Sequence, residues 1–197
     1  MARAGLTTDR VVAAAAVLAE SIGFDRVTIS ALARGFGVKD ASLYSHVKNL
    51  QDLRTRVALL AAGEFIDRIE AAVAGRAGKD ALTAFADAYR SFALECPGRY
   101  RATQTRVDPE TVAASPAYHR TLDTTASMLR AYGLTEPDLT DAVRLLRSTF
   151  HGFAALEAAG GFGAARSVQT SWERGVEALH YLLEHWPAAV GEADGPE

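Results

Sequence analysis

The chain has 197 residues, 49% of them apolar and 23% charged, with a formal net charge of −3. That length admits one large helical domain or a small domain joined to a larger one, and the apolar share is ample for a core. One cysteine, Cys96, excludes an intrachain disulfide and suits a reducing compartment.

The longest apolar tract, Val11 to Ala19, is Ala-rich and too short to span a bilayer, and the N-terminus lacks a charged-then-apolar signal pattern. A soluble cytoplasmic protein without membrane contact is the expectation.

In chain order, Met1 to Leu6 read as a loose arm. Thr7 or Thr8 can cap a first helix, with Asp9 favourable in its first turn. Val11, Ala14, Ala15, Leu18 and Ile22 form its apolar face, and Gly23 ends it.

Residues Val27 to Lys48 read as two short helices joined by a tight turn. Thr28 is a good N-cap, Ile29, Leu32, Ala33 and Phe36 share a face, and Gly37 sits where a positive φ is needed. Val38 re-enters the core, and Leu43 and Val47, four apart, hold the second helix against the first. Lys39, Asp40, Ala41, Ser42, Tyr44, Ser45, His46 and Lys48 stay outside, a short exposed helix rich in hydrogen-bond donors. A helix-turn-helix needs this arrangement, because its second helix enters a major groove while its flanks grip phosphates. An ordinary helical hairpin with a wet face has the same pattern, and at this point both readings stand.

Asn49 caps a long helix with Leu50, Leu53, Val57, Leu60, Ile66, Ile69 and Val73 along it. After a break at Gly75 to Gly78, a helix carries Leu82, Phe85, Tyr89, Phe92 and Cys96 until Pro97-Gly98 interrupts it, leaving a short segment around Tyr100 to Thr105. Asp108-Pro109 and Ser115-Pro116 each read as a cap followed by proline at the first helical position. The stripe Tyr118, Leu122, Thr125, Leu129, Tyr132 ends at Gly133. Two long helices close the chain, one striped by Leu139, Val143, Leu146, Phe150 and Phe153, the other by Val168, Trp172, Val176, Leu179, Leu183 and Trp186. The small residues Ala154, Ala155, Ala158 and Ala159 would let another helix approach, so these two helices can build a two-subunit four-helix bundle or pack within one domain. No strand-like alternation occurs. The fold expected is all-α: residues 1–48 as a helix-turn-helix head, 49–187 as a larger helical domain, and 188–197 as a disordered tail.

Charge is unevenly divided. Through residue 55 there are seven Lys/Arg against five Asp/Glu, and beyond it fourteen against nineteen. The basic excess lies on the small N-terminal part, the right sign for a phosphate-binding surface.

The residues Gly23-Phe24, Val27-Thr28, Leu32-Ala33, Gly37-Val38, Leu43-Tyr44, His46-Val47-Lys48-Asn49 and Leu53 resemble the head of the tetracycline-repressor (TetR) family of transcription regulators. Leu50 departs from the lysine or arginine frequent there, and Lys39-Asp40 from the usual serine. The stretches Phe150-His151-Gly152-Phe153 and Glu157 to Phe162 resemble the C-terminal domain of a subgroup named for a Trp-His-Gly motif, with phenylalanine in place of tryptophan. The resemblance implies a homodimer built on the last two long helices, a double-stranded operator, and a small-molecule effector.

Position for position, it puts Thr28, Ser42, Tyr44, His46 and Lys48 on phosphates and Ser30, Lys39, Asp40, Ala41 and Ser45 at bases. The chemistry is apt: hydroxyls and imidazole donate to phosphate oxygens, Lys39 suits guanine, Asp40 cytosine and Ala41 a thymine methyl. Asp40 can equally stabilise the helix N-terminus, and the Tyr44 ring can be half core. The resemblance also implies an apolar pocket, for which the candidates are Phe85, Tyr89, Phe92, Cys96, Tyr100, Met128, Leu129, Tyr132, Phe150, His151, Phe153 and Trp172; the same aromatics at helical spacing also read as plain core.

No enzyme, cofactor or metal is expected. Cys96 reads as a buried inert thiol, His119, His151, His180 and His185 lack zinc-type spacing, and no phosphate loop, nucleophile elbow or HExxH occurs. The expected function is a DNA-binding transcriptional regulator, a repressor released from a palindromic operator by an effector. An architectural DNA-binding protein with the same head and no inducer is the alternative, and a protein-interaction module that has lost its DNA role is another.

Overall fold

A computed structural model of the chain describes residues 5–187, so the tail expected over 188–197 and most of the arm expected over 1–6 lie outside the described residues. Within them, regular structure is entirely helical: α1 (Thr8–Ile22), α2 (Ile29–Phe36), α3 (Leu50–Val73), α4 (Gly78–Glu95), α5 (Pro97–Thr103), α6 (Pro109–Ala113), α7 (Pro116–Leu129), α8 (Asp138–Ala158) and α9 (Val168–Glu184), with 3-10 turns at Phe24–Arg26, Asp40–Ser42 and Arg130–Tyr132.

Local side-chain chemistry starts several of these helices. Thr7, Thr28, Asn49, Asp108 and Ser167 each accept a hydrogen bond from a backbone N–H three residues on, which satisfies one of the donors a helix N-terminus leaves open. Gly37 ends α2 in the left-handed region at φ +66°, which lets Val38 turn back toward the core. Ser115 departs from expectation. It precedes Pro116, but its side chain makes no capping bond and is buried.

Apolar faces assemble into two cores. Val11, Ala15, Phe24, Ile29, Leu32, Leu43, Val47, Leu53 and Val57 form the first; Ile66, Ile69, Leu82, Phe92, Leu129, Leu146, Phe150, Trp172 and Leu183 lie in the second. Helix α3, 24 residues and therefore about 36 Å long, serves both, giving Leu53, Val57 and Ala61 to the first and Ala62, Ile66 and Ile69 to the second. The stripes of α8 and α9 are used internally: Leu146, Phe150, Trp172, Val176 and Leu183 are buried within this chain.

Short α5 also belongs to both cores. Ala102 is fully buried in the first, while Tyr100 is buried in the second. Its first turn lies so close to α1 that a Cβ on Gly98 would sit 2.3 Å from the Ala19 carbonyl oxygen. The Glu20 carboxylate accepts hydrogen bonds from the backbone N–H groups of Gly98 and Arg99, at 2.8 and 3.0 Å. A side chain of α1 thus caps α5, an anion placed at the positive end of a helix. Arg99 pairs with both Glu20 and Glu64, and Arg101 with Asp25.

Candidate nucleic-acid interface

The segment after Gly37 is shorter and tighter than the α-helix expected there. Only Asp40–Ser42 is regular, as a 3-10 turn, and the chain continues through turns in which His46 N–H and Val47 N–H both donate to the Leu43 carbonyl. The reason is local. Lys39 is extended and offers no side-chain oxygen as a cap, and Asn49 already starts α3. Leu43 and Val47, at 0% and 2% exposure, still pin the segment to α1, α2 and α3.

The side chains between these anchors face outward. Lys39, Asp40, Ala41, Ser42, Tyr44, Ser45 and Lys48 are exposed, as are Thr28, the cap of α2, and Ser30 in its first turn, and His46 is half-buried. Tyr44 is 54% exposed, which decides against a half-core ring. Thr28 accepts from the Ala31 N–H as a cap, leaving its hydroxyl proton free to donate outward. The Ser30 hydroxyl donates to the Asp40 carboxylate, tying α2 to the 3-10 turn and turning Asp40 toward a neighbouring side chain.

Two hydrogen bonds fix the exit of this segment. The Lys48 N–H donates to the Asp52 carboxylate at 2.8 Å and the Asp52 N–H to the Asn49 side-chain oxygen at 2.8 Å, a reciprocal arrangement around the start of α3. The Thr8 hydroxyl, donating to the His46 carbonyl at 3.2 Å, ties in the start of α1. Neither Lys39 nor Lys48 makes an ion pair among the described residues, so both ammonium groups stand unneutralised on an exposed ridge. Phosphate contact needs this arrangement: fixed backbone, free donors and uncompensated positive charge.

A cavity of about 340 Å³ opens in the larger core between α3, α4, α7 and α8. Phe65, Phe85 and Tyr89 wall it from α3 and α4, Tyr118, Thr121 and Thr125 from α7, and Val143, Leu146 and Arg147 from α8; Thr103 and Gln104, at the end of α5, close one side. Its size lies at the lower end of small-molecule sites, and its walls are largely apolar. Burial pushes the phenols of Tyr89, Tyr100 and Tyr118 above their ordinary values, so all three remain neutral donors near pH 7.

Residues 82–179 match the family model for the tetracyclin repressor-like C-terminal domain. The chain is 37% identical over 162 residues to the HTH-type transcriptional regulator Rv0681 of Mycobacterium tuberculosis, covering 80% of this chain and 72% of that one. The chain belongs to the TetR family. The regulator YobS of Bacillus subtilis is 33% identical over 154 residues, 78% of this chain and 80% of its own. The crystal structure of the TetR family protein ActR of Streptomyces coelicolor, in complex with actinorhodin, superposes with a TM-score of 0.70 at 20% identity over 91% of this chain and 97% of that one, a likeness of fold.

This TetR-family chain is therefore a DNA-binding transcription regulator and not an enzyme. Among the described residues no helix is long and apolar enough to cross a membrane.

Of the twelve pocket candidates, Phe85 and Tyr89 line the cavity. Phe92, Met128, Leu129, Phe150 and Trp172 are buried in the surrounding core and do not line it. Tyr100 sits one layer behind the wall, its hydroxyl 2.9 Å from that of Tyr89 and 2.7 Å from His151 Nδ1. Phe153 packs on Phe162 and Trp172, Tyr132 hydrogen-bonds His180, and Cys96 is half-buried as a free thiol between α4 and α5. An aromatic search overlooks the threonines, Gln104 and Arg147 of the wall. The stripe through Tyr118 and Thr125 was the available signal, since a buried helix face carrying threonines invites a polar guest.

Proposed function

We propose that the protein is a dimeric repressor of the bacterial cytoplasm that grips a palindromic operator and lets go when a small molecule fills the α3–α4–α7–α8 cavity. In this reading Thr28, Ser42, Tyr44, His46 and Lys48 hold phosphates, and Ser30, Lys39, Asp40, Ala41 and Ser45 face bases. The observation that carries it is the position of α5, which closes the cavity with Thr103 and Gln104 and is seated on the head through Gly98, Arg99 and Ala102. A guest that displaces α5 pulls on the element that carries the operator-facing segment.

The dimer surface in this reading is not the apolar stripes of α8 and α9, which are used within the chain, but their outer faces. Ala155 and Leu156 on α8 and Gly175, Ala178, Tyr181 and Leu182 on α9 are exposed, with Leu156 at 52% and Tyr181 at 64%. Small residues interspersed with large apolar ones suit close helix packing across a two-fold axis. Phe150-His151-Gly152 supports the Trp-His-Gly subgroup, and the actinorhodin bound by ActR supports a small-molecule effector.

The test is anisotropy with palindromes taken from DNA upstream of the protein's own gene. Salt-sensitive binding by a dimer, weakened when a cavity ligand is added, is the expected result. An effector must bind the released state more tightly, about 1.4 kcal/mol for each tenfold loss of operator affinity. A saturating cavity ligand that leaves operator affinity unchanged refutes the effector role.

A further inference from the structure

We propose that the cavity selects a monocarboxylate with an apolar body, whose carboxylate is held by the Arg147 guanidinium and the Tyr118 hydroxyl. The inference rests on the effector-cavity reading and names the ligand class of that site.

The first observation is a tally of hydrogen-bond donors around the cavity. The Thr103 hydroxyl donates to the Tyr100 carbonyl, Thr121 to Ala117 and Thr125 to Thr121, so these three protons are already committed to backbone oxygens. The Gln104 amide donates to Thr103, and the Tyr89 and Tyr100 hydroxyls pair with each other. Arg147 and Tyr118, by contrast, make no side-chain hydrogen bond or ion pair among the described residues. The cavity wall therefore presents the N–H groups of a forked cation and a phenol O–H to whatever enters.

The second observation is charge. Among the described residues Arg147 is the sole charged one of this wall, and no carboxylate lines it. On its own helix the positions three and four residues from Arg147 are Val143, Arg144, Phe150 and His151, so no acid of α8 stands where it could pair with it. The field of Arg147 reaches inward, since it favours the ionised form of Tyr89, Tyr100 and Tyr118 against the opposing effect of burial. A carboxylate is acceptor-only, planar and matched to a guanidinium fork. A neutral alcohol offers a single uncharged oxygen and forgoes the charge-assisted, two-pronged bond.

Third is size and polarity. At roughly 30 Å³ per small group, 340 Å³ holds about a dozen non-hydrogen atoms. Phe65, Phe85, Val143 and Leu146 would enclose the body of such a molecule, with the charged end at the exposed Arg147. Decanoate and 4-phenylbutyrate have this size and are ionised at neutral pH.

The experiment is calorimetric titration of the full-length protein with decanoate and 4-phenylbutyrate, each beside its alcohol, decan-1-ol and 4-phenylbutan-1-ol. At least one acid is expected to bind tenfold or more tightly than its alcohol. R147Q should erase that preference while still binding the alcohol, which shows that the variant is folded, and R147K should restore part of it. Y118F should lower acid affinity severalfold. Equal binding of acid and alcohol, an acid preference that survives in R147Q, or no binding of either acid overturns the proposal. An acid that binds through Arg147 without weakening the operator complex refutes the effector reading alone and leaves the carboxylate site standing.

Discussion

Gly98→Ala tests the junction between α1 and α5. The new Cβ would meet the Ala19 oxygen at 2.3 Å, the Ala19 carbonyl carbon at 2.4 Å and the Glu20 nitrogen at 2.7 Å, all backbone atoms without rotamers to yield. Restoring ordinary contact requires α5 to retreat by about 1 Å, which stretches the Glu20 bonds from 2.8 and 3.0 Å beyond hydrogen-bond range. Overpacking of this kind costs about 1–3 kcal/mol. The two lost carboxylate bonds add about 1 kcal/mol each, discounted because the Glu20 side chain is 23% exposed. Alanine's better helix propensity returns less than about 1 kcal/mol, so the steric and capping losses win. The net of about 3 kcal/mol lowers Tm by about 6–12 °C in a chain of this size. Circular dichroism melts measure it, with E20Q as the companion that weakens the cap without the clash and lowers Tm by a smaller amount. A G98A protein melting within about 2 °C of wild type would refute the close approach.

Lys48→Ala should weaken binding to all DNA sequences alike and reduce the salt slope by about one, whereas Y44F weakens binding with no change of slope; unchanged affinity and slope in both variants would refute their assignment to phosphates. Arg90 holds Glu157 through two bonds of 2.7 and 2.6 Å, with its guanidinium 5.3 Å over the Trp172 ring and both side chains largely buried. R90A should therefore cost about 3 kcal/mol by stranding Glu157, and R90K should recover little because an ammonium cannot fork or stack; full recovery of Tm by R90K would contradict that account. Burial pushes the Tyr132 phenol up to about 12, and Tyr89, Tyr100 and Tyr118 are raised as well. The unfolded phenols ionise first, so this stability is fully present below about pH 10 and is lost as pH rises from there through about 12; a Tm that stays flat from about pH 9 to about pH 12 would count against it.

What was legible in the sequence was chiefly local. Thr28, Asn49 and Asp108 could be read as caps because the N–H each accepts from lies three residues on, and Gly37 because its backbone conformation is set by its neighbours. Helix faces emerged from apolar spacing for the same reason. Ser115 had the right neighbours for a cap but is buried by packing that those neighbours do not specify. The 3-10 turn at Asp40–Ser42 goes with a missing side-chain cap at Lys39, which the sequence displayed. Glu20 as the cap of α5 was out of reach, since its partners lie 78 and 79 residues away. Cavity walls were equally hidden, because wall and core draw on the same aromatic stripes; Arg147 reads as surface charge until its lack of a partner can be seen in three dimensions.

In the repressor reading, α3 and α5 are the elements that contribute to both cores, and they differ in stiffness. Helix α3 runs continuously through its full length, so a guest that pushes on Ala62 or Phe65 meets a rod held by buried residues on either side. Helix α5 has seven residues and is held on the head by Gly98, Ala102, the Glu20 cap and the ion pairs of Arg99 with Glu20 and Arg101 with Asp25. Displacing it by a fraction of an ångström loosens a carboxylate cap worth about 1–2 kcal/mol, a factor of about 5–30 in an equilibrium. A ligand of modest differential affinity can supply that much. Short α5 is therefore the element suited to a switch, because a guest of about a dozen atoms has seven residues to move there against the 24 of α3.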